Sequence, residues 1–221
     1  MEEKKLSYFK GTAKGNLKGN WGTAILVCLI IGAIATAVSI VPMVGGLISL
    51  IITGPLTVAE IRYFSALHKK QKATVGTAFT DFGKDFSGSV GTYLLESLYV
   101  FLWTLLLIIP GIIKSYSYAM SMFLKSKNPN MKSNDAITLS RKIMDGKKAK
   151  LFWLDLSFIG WMILCVFTLF IGFIFLVPYM SASRLAFYEE AYAEYQEKNN
   201  NSADSDETKQ VVDAENQIEV E

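Results

Sequence analysis

LLLIIPGIIKSYSYAMSMFL, residues 105–124, decides how this chain folds. Most of its side chains are apolar, yet Pro110-Gly111 interrupts the run and Lys114 follows three residues on. One continuous helix from Val90 to Leu124 would be ~52 Å long at 1.5 Å per residue. The hydrocarbon core of a bilayer is only ~30 Å thick. Proline removes a backbone donor and clashes with the preceding turn. The stretch therefore reads as a reversal at Pro110-Gly111 inside a pair of antiparallel helices.

The same length argument applies elsewhere. Hydrophobic residues make up 51% of the 221-residue chain, and the mean hydropathy is +0.30. Neither Gly19–Ala59 nor Leu156–Ser183 contains an Asp, Glu, Lys, Arg or His. Each run exceeds the ~20 residues a membrane-spanning helix needs, which argues against a soluble core. SIVPMVGG (39–46) breaks the first run and TLFIGF (168–173) the last. The expected fold is all-α: a polytopic membrane bundle of six spans paired as three hairpins. The spans fall near 22–41, 46–66, 90–109, 111–127, 151–169 and 172–192. The fourth is short and needs Lys125 and Lys127 to extend their heads to the interface. The first apolar stretch is expected to be an uncleaved span, because a polar region of about twenty residues precedes it and the run continues past any cleavage point.

Charge orients the bundle. Of the 20 basic residues before position 196, all but Arg62, Lys114 and Arg184 lie ahead of the first span or in the two long links. The three tight turns have none. Basic loops stay cytoplasmic, so both termini are expected in the cytoplasm. Two basic segments have helical apolar stripes: Leu6, Phe9, Ala13, Leu17 and Trp21, then Ala136, Ile137, Ser140, Ile143 and Met144. Both read as amphipathic helices on the inner surface, the second with Ser133 as its N-cap. VGTAFTDFGKDF (75–86) is a weaker third case. Gly11, Gly15 and Gly19 have the spacing of close helix packing but lie outside the apolar run and read as a loose interfacial segment. The order surface helix, span, turn, Pro-bearing span occurs three times within the 1–195 membrane domain, over 3–67, 73–127 and 133–195. Residues 196–221 carry eight acidic and two basic side chains, a composition expected of a disordered cytoplasmic tail.

Several segments together are similar to one known family: NLKGNWGTAI (16–25), LWTLLLIIPGIIKSYSYAMSMFL (102–124), NPNMKSNDAITLSRKIMDGKKAKLFWLDLSFIGW (128–161) and GFIFLVPYMSASRLAFYE (172–189). They resemble the bacterial domain of unknown function 975 family of predicted integral membrane proteins. The resemblance covers about residues 5–192 and implies a bacterial plasma-membrane location. It carries no reaction, ligand or residue role.

Catalytic signatures are absent: no Walker loop, dinucleotide-binding glycine pattern, zinc-protease helix or nucleophile elbow. No metal ligand set or cofactor is expected. Cys28 and Cys165 read as small apolar residues and His68 as a solvated loop residue. Charged groups inside spans are costly and face a bundle interior or a cavity. The candidate polar cluster is Glu60, Arg62, Glu96, Lys114, Ser117, Tyr118, Asp155 and Arg184. Glu60, Glu96, Asp155 and Arg184 fall at one depth, with Asp155 and Arg184 as the best ion pair. Polar stripes run along the three Pro-bearing spans: Ser49, Thr53, Thr57 and Glu60; Lys114, Ser117, Tyr118, Ser121 and Lys125; Ser181, Arg184 and Tyr188. Lys114 lies on the outer side, near a helix N-terminus that disfavours a cation. It calls for something negative: a lipid phosphate, an anionic ligand or a carboxylate, with Glu96 too deep to serve. Two functions fit the pattern. One is a non-enzymatic scaffold or regulator, held by anionic headgroups of the inner leaflet and reaching a protein partner through its acidic tail, with no nucleic acid involved. The other is a transporter or channel for a small anionic or amphiphilic solute.

Overall fold

The computed structural model describes residues 4–41, 45–80, 82–83 and 86–218, with side chains described through residue 201. Pro42, Lys84 and the tail side chains beyond 201 lie outside the described residues. Among the described residues every regular element is a helix: α1 (Leu6–Leu17), α2 (Trp21–Ser39), α3 (Gly45–His68), α4 (Val75–Phe79), α5 (Phe86–Leu106), α6 (Ile108–Tyr118), α7 (Ser121–Lys127), α8 (Ser133–Ile143), α9 (Lys148–Phe167) and α10 (Phe173–Ile218). Four of these, α2, α3, α5 and α9, are long and apolar enough to cross a membrane.

Side-chain contacts pair the long helices antiparallel. Ser39 meets Ser49 at 3.2 Å, and Tyr63 donates to Thr23 at 2.9 Å, joining α2 to α3. Lys114 stands over the Trp103 ring and Tyr118 packs on Tyr99, joining α6 to α5. Phe158 packs on Tyr179 and Asp155 holds Arg184, joining α9 to α10. The three reversals share one end of the molecule, the turn end. The α3 terminus, α1, α7 and α8 gather at the other, the basic end. The core lies toward the basic end, where Phe9, Leu17, Tyr63, Phe123, Met144 and Phe187 are buried. At the turn end Leu47, Leu105–Ile109, Phe167 and Leu169 stand exposed, so the tips of the pairs share little packing.

The middle reversal differs from the sequence reading. Leu107 adopts an extended conformation (φ −158°, ψ 139°) and α6 begins at Ile108, so Pro110 lies inside the first turn of α6. A proline is tolerated there because the first-turn N–H groups have no helical partner. Gly111 has a separate job. A Cβ on it would come 2.8 Å from Thr104 Cα, so the reversal closes only with no side chain at 111. The segment 111–127 is also not one helix, since it breaks at Ala119-Met120 between α6 and α7. Ser140 of α8 fills the break, donating to the Ser117 carbonyl at 2.9 Å and accepting from Met120 N at 3.1 Å. The last reversal, between α9 and α10, places Leu169 and Phe170 at φ 51° and 67°.

The basic links are spent on protein packing. α1 runs from Lys4, paired with Glu190 at 2.6 Å, to Asn16, bonded to His68 at 3.2 Å, and so bridges the basic ends of α10 and α3. The Glu190 carboxylate raises the Lys4 ammonium above its ordinary pKa. Phe9, Ala13 and Leu17 are buried in the core, while a Cβ on Gly11 or Gly15 would meet open space. The segment is thus helical, and its glycines are not a packing seam. Every position of the second stripe, Ala136, Ile137, Ser140, Ile143 and Met144, is buried too. The apolar faces that the sequence pattern offers to a leaflet therefore face protein. Ser133 is not the cap of α8. Lys132 holds that position, and the Ser133 hydroxyl reaches the Gly88 carbonyl at 3.5 Å. Lys125 does not extend outward either. It is buried and donates to the carbonyls of Pro129 and Met131 at 2.5 and 2.7 Å, while Lys127 pairs with Glu189 at 2.6 Å.

α3 and α5 approach closely at Gly54, where a Cβ would lie 2.5 Å from the Ser89 carbonyl and 2.9 Å from Tyr93 Cβ. Overpacking of this kind costs about 1–3 kcal/mol. Gly54→Val is expected to lower the unfolding temperature of detergent-purified protein. Gly32→Ala, in open space on α2, should leave it unchanged or raise it, because alanine favours a helix over glycine by ~1 kcal/mol.

Candidate functional site

Four of the eight residues singled out in the sequence meet in one cavity of about 410 Å³, lined by Glu60, Glu96, Asp155 and Arg184 together with residues of α6 and α7. All three antiparallel pairs contribute to it. Each acid has a partner on another helix. Glu60 on α3 accepts from Ser181 of α10 at 2.5 Å. Glu96 on α5 accepts from Ser121 of α7. Asp155 on α9 is the most heavily engaged. It accepts from Arg184 Nε at 2.8 Å, from Arg184 Nη2 at 2.9 Å and from the Tyr116 hydroxyl at 3.1 Å. The Arg184 contact is a bidentate fork, the strongest common form of an ion pair. It joins the two helices expected from the sequence.

The other four residues lie elsewhere. Arg62 turns away and donates to the Thr80 carbonyl at 2.8 Å, tying α3 to the end of α4. Ser117 is buried and bonds back to the Ile113 carbonyl at 2.9 Å, on a face covered by α8. Tyr118 is buried beside Tyr99, ring centroids 6.1 Å apart. Lys114 rests 4.5 Å from the centroid of the Trp103 ring. The face of an indole attracts a cation through its quadrupole.

The stripes separate in the same way. Thr57 and Glu60, and all three members of the α10 stripe, reach the cavity. The middle stripe does not line it. The face of α6–α7 that does is Ser115, Ala119 and Met122, with Tyr116 beside it. Tyr116 is the site residue that sequence reasoning missed. Its only signal was the small-residue spacing of Ser115 and Ala119 next to it, and the break at residues 119–120 hides which face turns inward. Tyr93 of α5 is a second omission. The remainder of the lining is apolar and includes Ile61, Phe64 and Leu185. Among the described residues no group of three His, Cys, Asp or Glu side chains is placed to hold a metal ion.

Two stability measurements check this geometry. In a double-mutant cycle of Asp155→Asn and Arg184→Gln, contacting pairs couple by roughly 0.5–3 kcal/mol. Coupling within error of zero would refute the fork. Trp103→Leu should destabilise the protein by about 1–2 kcal/mol, and adding Lys114→Met should recover most of that loss.

The comparisons agree with the resemblance seen in the motifs. No curated protein and no solved structure matches this chain. A family model described as a protein of unknown function, DUF975, matches residues 1–113 and again 104–194. The chain belongs to that family.

Proposed function

We propose that this is a multi-pass bacterial plasma-membrane protein whose central cavity binds a small, cation-bearing amphiphilic solute. In this reading α6–α7 and the first twenty residues of α10 supply two further spans, giving three hairpins. The basic links put both termini in the cytoplasm. One observation carries the proposal: acidic side chains from all three helix pairs converge on a single cavity. Three carboxyl groups face one guanidinium, and that guanidinium is already held by Asp155. Among the described residues the hydrogen-bond partners of Glu60 and Glu96 are the serine hydroxyls of Ser181 and Ser121. This balance suits a cation better than an anion, and Phe64, Ile61 and Leu185 offer apolar surface next to the charge.

A second reading, a non-enzymatic scaffold or regulator with the acidic tail as its docking arm, has its own support. Each carboxyl group in the cavity already has a partner, as a purely structural clamp requires.

Titrating short alkylamines and tetraalkylammonium ions into the full chain in nanodiscs separates the two. The binding reading expects a thermal shift with the cations and none with matched sulfonates. Glu60→Gln and Glu96→Gln should each weaken binding about tenfold, equivalent to ~1.4 kcal/mol. The scaffold reading expects no shift with any of them. It also expects cysteines at positions 57, 115 and 181 to resist water-soluble reagents.

A further inference from the structure

The lysines at the basic end differ in how they are satisfied. Lys4, Lys127 and Lys147 are neutralised by Glu190, Glu189 and Glu194 of α10, and Lys148 pairs with Asp145. The opposite corner has no such arrangement. Lys14 and Lys18 stand exposed at the end of α1, and Lys69, Lys70 and Lys72 stand exposed just past the end of α3. Among the described residues none of these five side chains has a hydrogen bond, ion pair or ring contact. The Asn16–His68 hydrogen bond, 3.2 Å long, brings the two groups together. Between Lys4 and Thr80 the sequence has a single acidic residue, Glu60, and it is turned into the cavity.

The corner is held in shape. Gln71 N bonds back to the Ala66 carbonyl at 2.9 Å and Lys70 N to the Leu67 carbonyl at 3.1 Å, with Lys70 at φ 55°. This αL closure satisfies the last carbonyls of α3 and turns the lysines that follow out of the helix line. The negative end of the α3 dipole gathers cations there, and among the described residues no carboxylate pairs with them. Aromatic stacking platforms of the kind single-stranded nucleic acid needs are absent from the five positions. The neighbouring Trp21 packs instead on Phe175.

We infer that this corner, Lys14, Lys18, Lys69, Lys70 and Lys72 around the Asn16–His68 bond, is a binding site for the phosphate headgroup of an anionic phospholipid in the leaflet at the basic end. The inference rests on the proposed membrane placement but not on the cavity ligand. Lysines near a charged leaflet each contribute to attraction for anionic lipid, and five from two helix ends can surround one or two phosphates. The lysines on the α10 side, already paired with carboxylates, contribute little.

The test uses the full chain in nanodiscs of phosphatidylcholine doped with phosphatidylglycerol, with retained lipid counted by native mass spectrometry. The five-lysine-to-glutamine variant is expected to retain phosphatidylglycerol about tenfold less well than the wild type. Lys4→Gln/Lys147→Gln, on the paired side, should change retention less than about twofold. The Lys69→Gln/Lys70→Gln pair gives a partial loss if the five-fold variant proves unstable. Unchanged retention in the five-lysine variant, or equal losses in both sets, would overturn the site. Free glycerol phosphate competing at millimolar concentration would also overturn it, by showing a soluble phosphate site and not a leaflet one. Labelling of Lys70→Cys from outside intact cells tests the membrane orientation separately. Labelling there with normal lipid retention removes the orientation and keeps the site.

Discussion

A guanidinium placed among apolar helices must find a carboxylate, and the arrangement of this protein follows from that demand. Arg184 lies on a helix whose neighbours are largely aliphatic, and its fork onto Asp155 fixes the register of α9 against α10. Tyr116 then adds a third donor to the same carboxylate from α6, which fixes the middle pair against the last. Ser181, one turn before Arg184, does the same for the first pair through Glu60. Between apolar helices, close packing and polar bonds set the geometry. Here the polar bonds form a layer, and the cavity lies within it because the side chains that tie the pairs also hold them apart.

The same logic explains where the molecule is loosely packed. Toward the basic end the pairs close over Tyr63, Phe123 and Phe187, and α1 and α8 bury their apolar stripes there. Beyond the polar layer, toward the turns, the pairs share few contacts and present Leu47, Leu105 and Phe167 outward. Gly45, Gly54 and Gly111 mark places where backbones approach so closely that no Cβ fits.

The legible part of the fold came from length and charge. Apolar runs too long for one crossing forced reversals, and each falls within a few residues of its expected place. The depth argument that grouped Glu60, Glu96, Asp155 and Arg184 needed only a count of residues from each turn, and those four do share a cavity. Failures came where the backbone stopped being a regular helix. The break at Ala119-Met120 rotates the face of α6–α7, so a stripe drawn through Ser117 and Ser121 points at α8 and α5 while Tyr116 enters the site. Pro110 suggested the reversal itself but occupies a first helical turn, where its missing donor costs nothing. Lys114 has a ring contact as well as a charge. The ring lies eleven residues earlier on α5, and a contact with an uncharged group is one that no count of charges registers. The glycines 11, 15 and 19 had a spacing without the facing helix that would give it meaning.

The Ser140 hydroxyl has a mechanical consequence. It donates to the last turn of α6 and accepts from the residue that precedes α7, so one side chain serves as the pin of a hinge. α8 lies on the basic side of the molecule, and Tyr116, one residue before the pinned carbonyl at 117, reaches the cavity. Removing that one hydroxyl would leave the Ser117 carbonyl and the Met120 N–H without their partner together, at the joint that aims Tyr116 into the cavity.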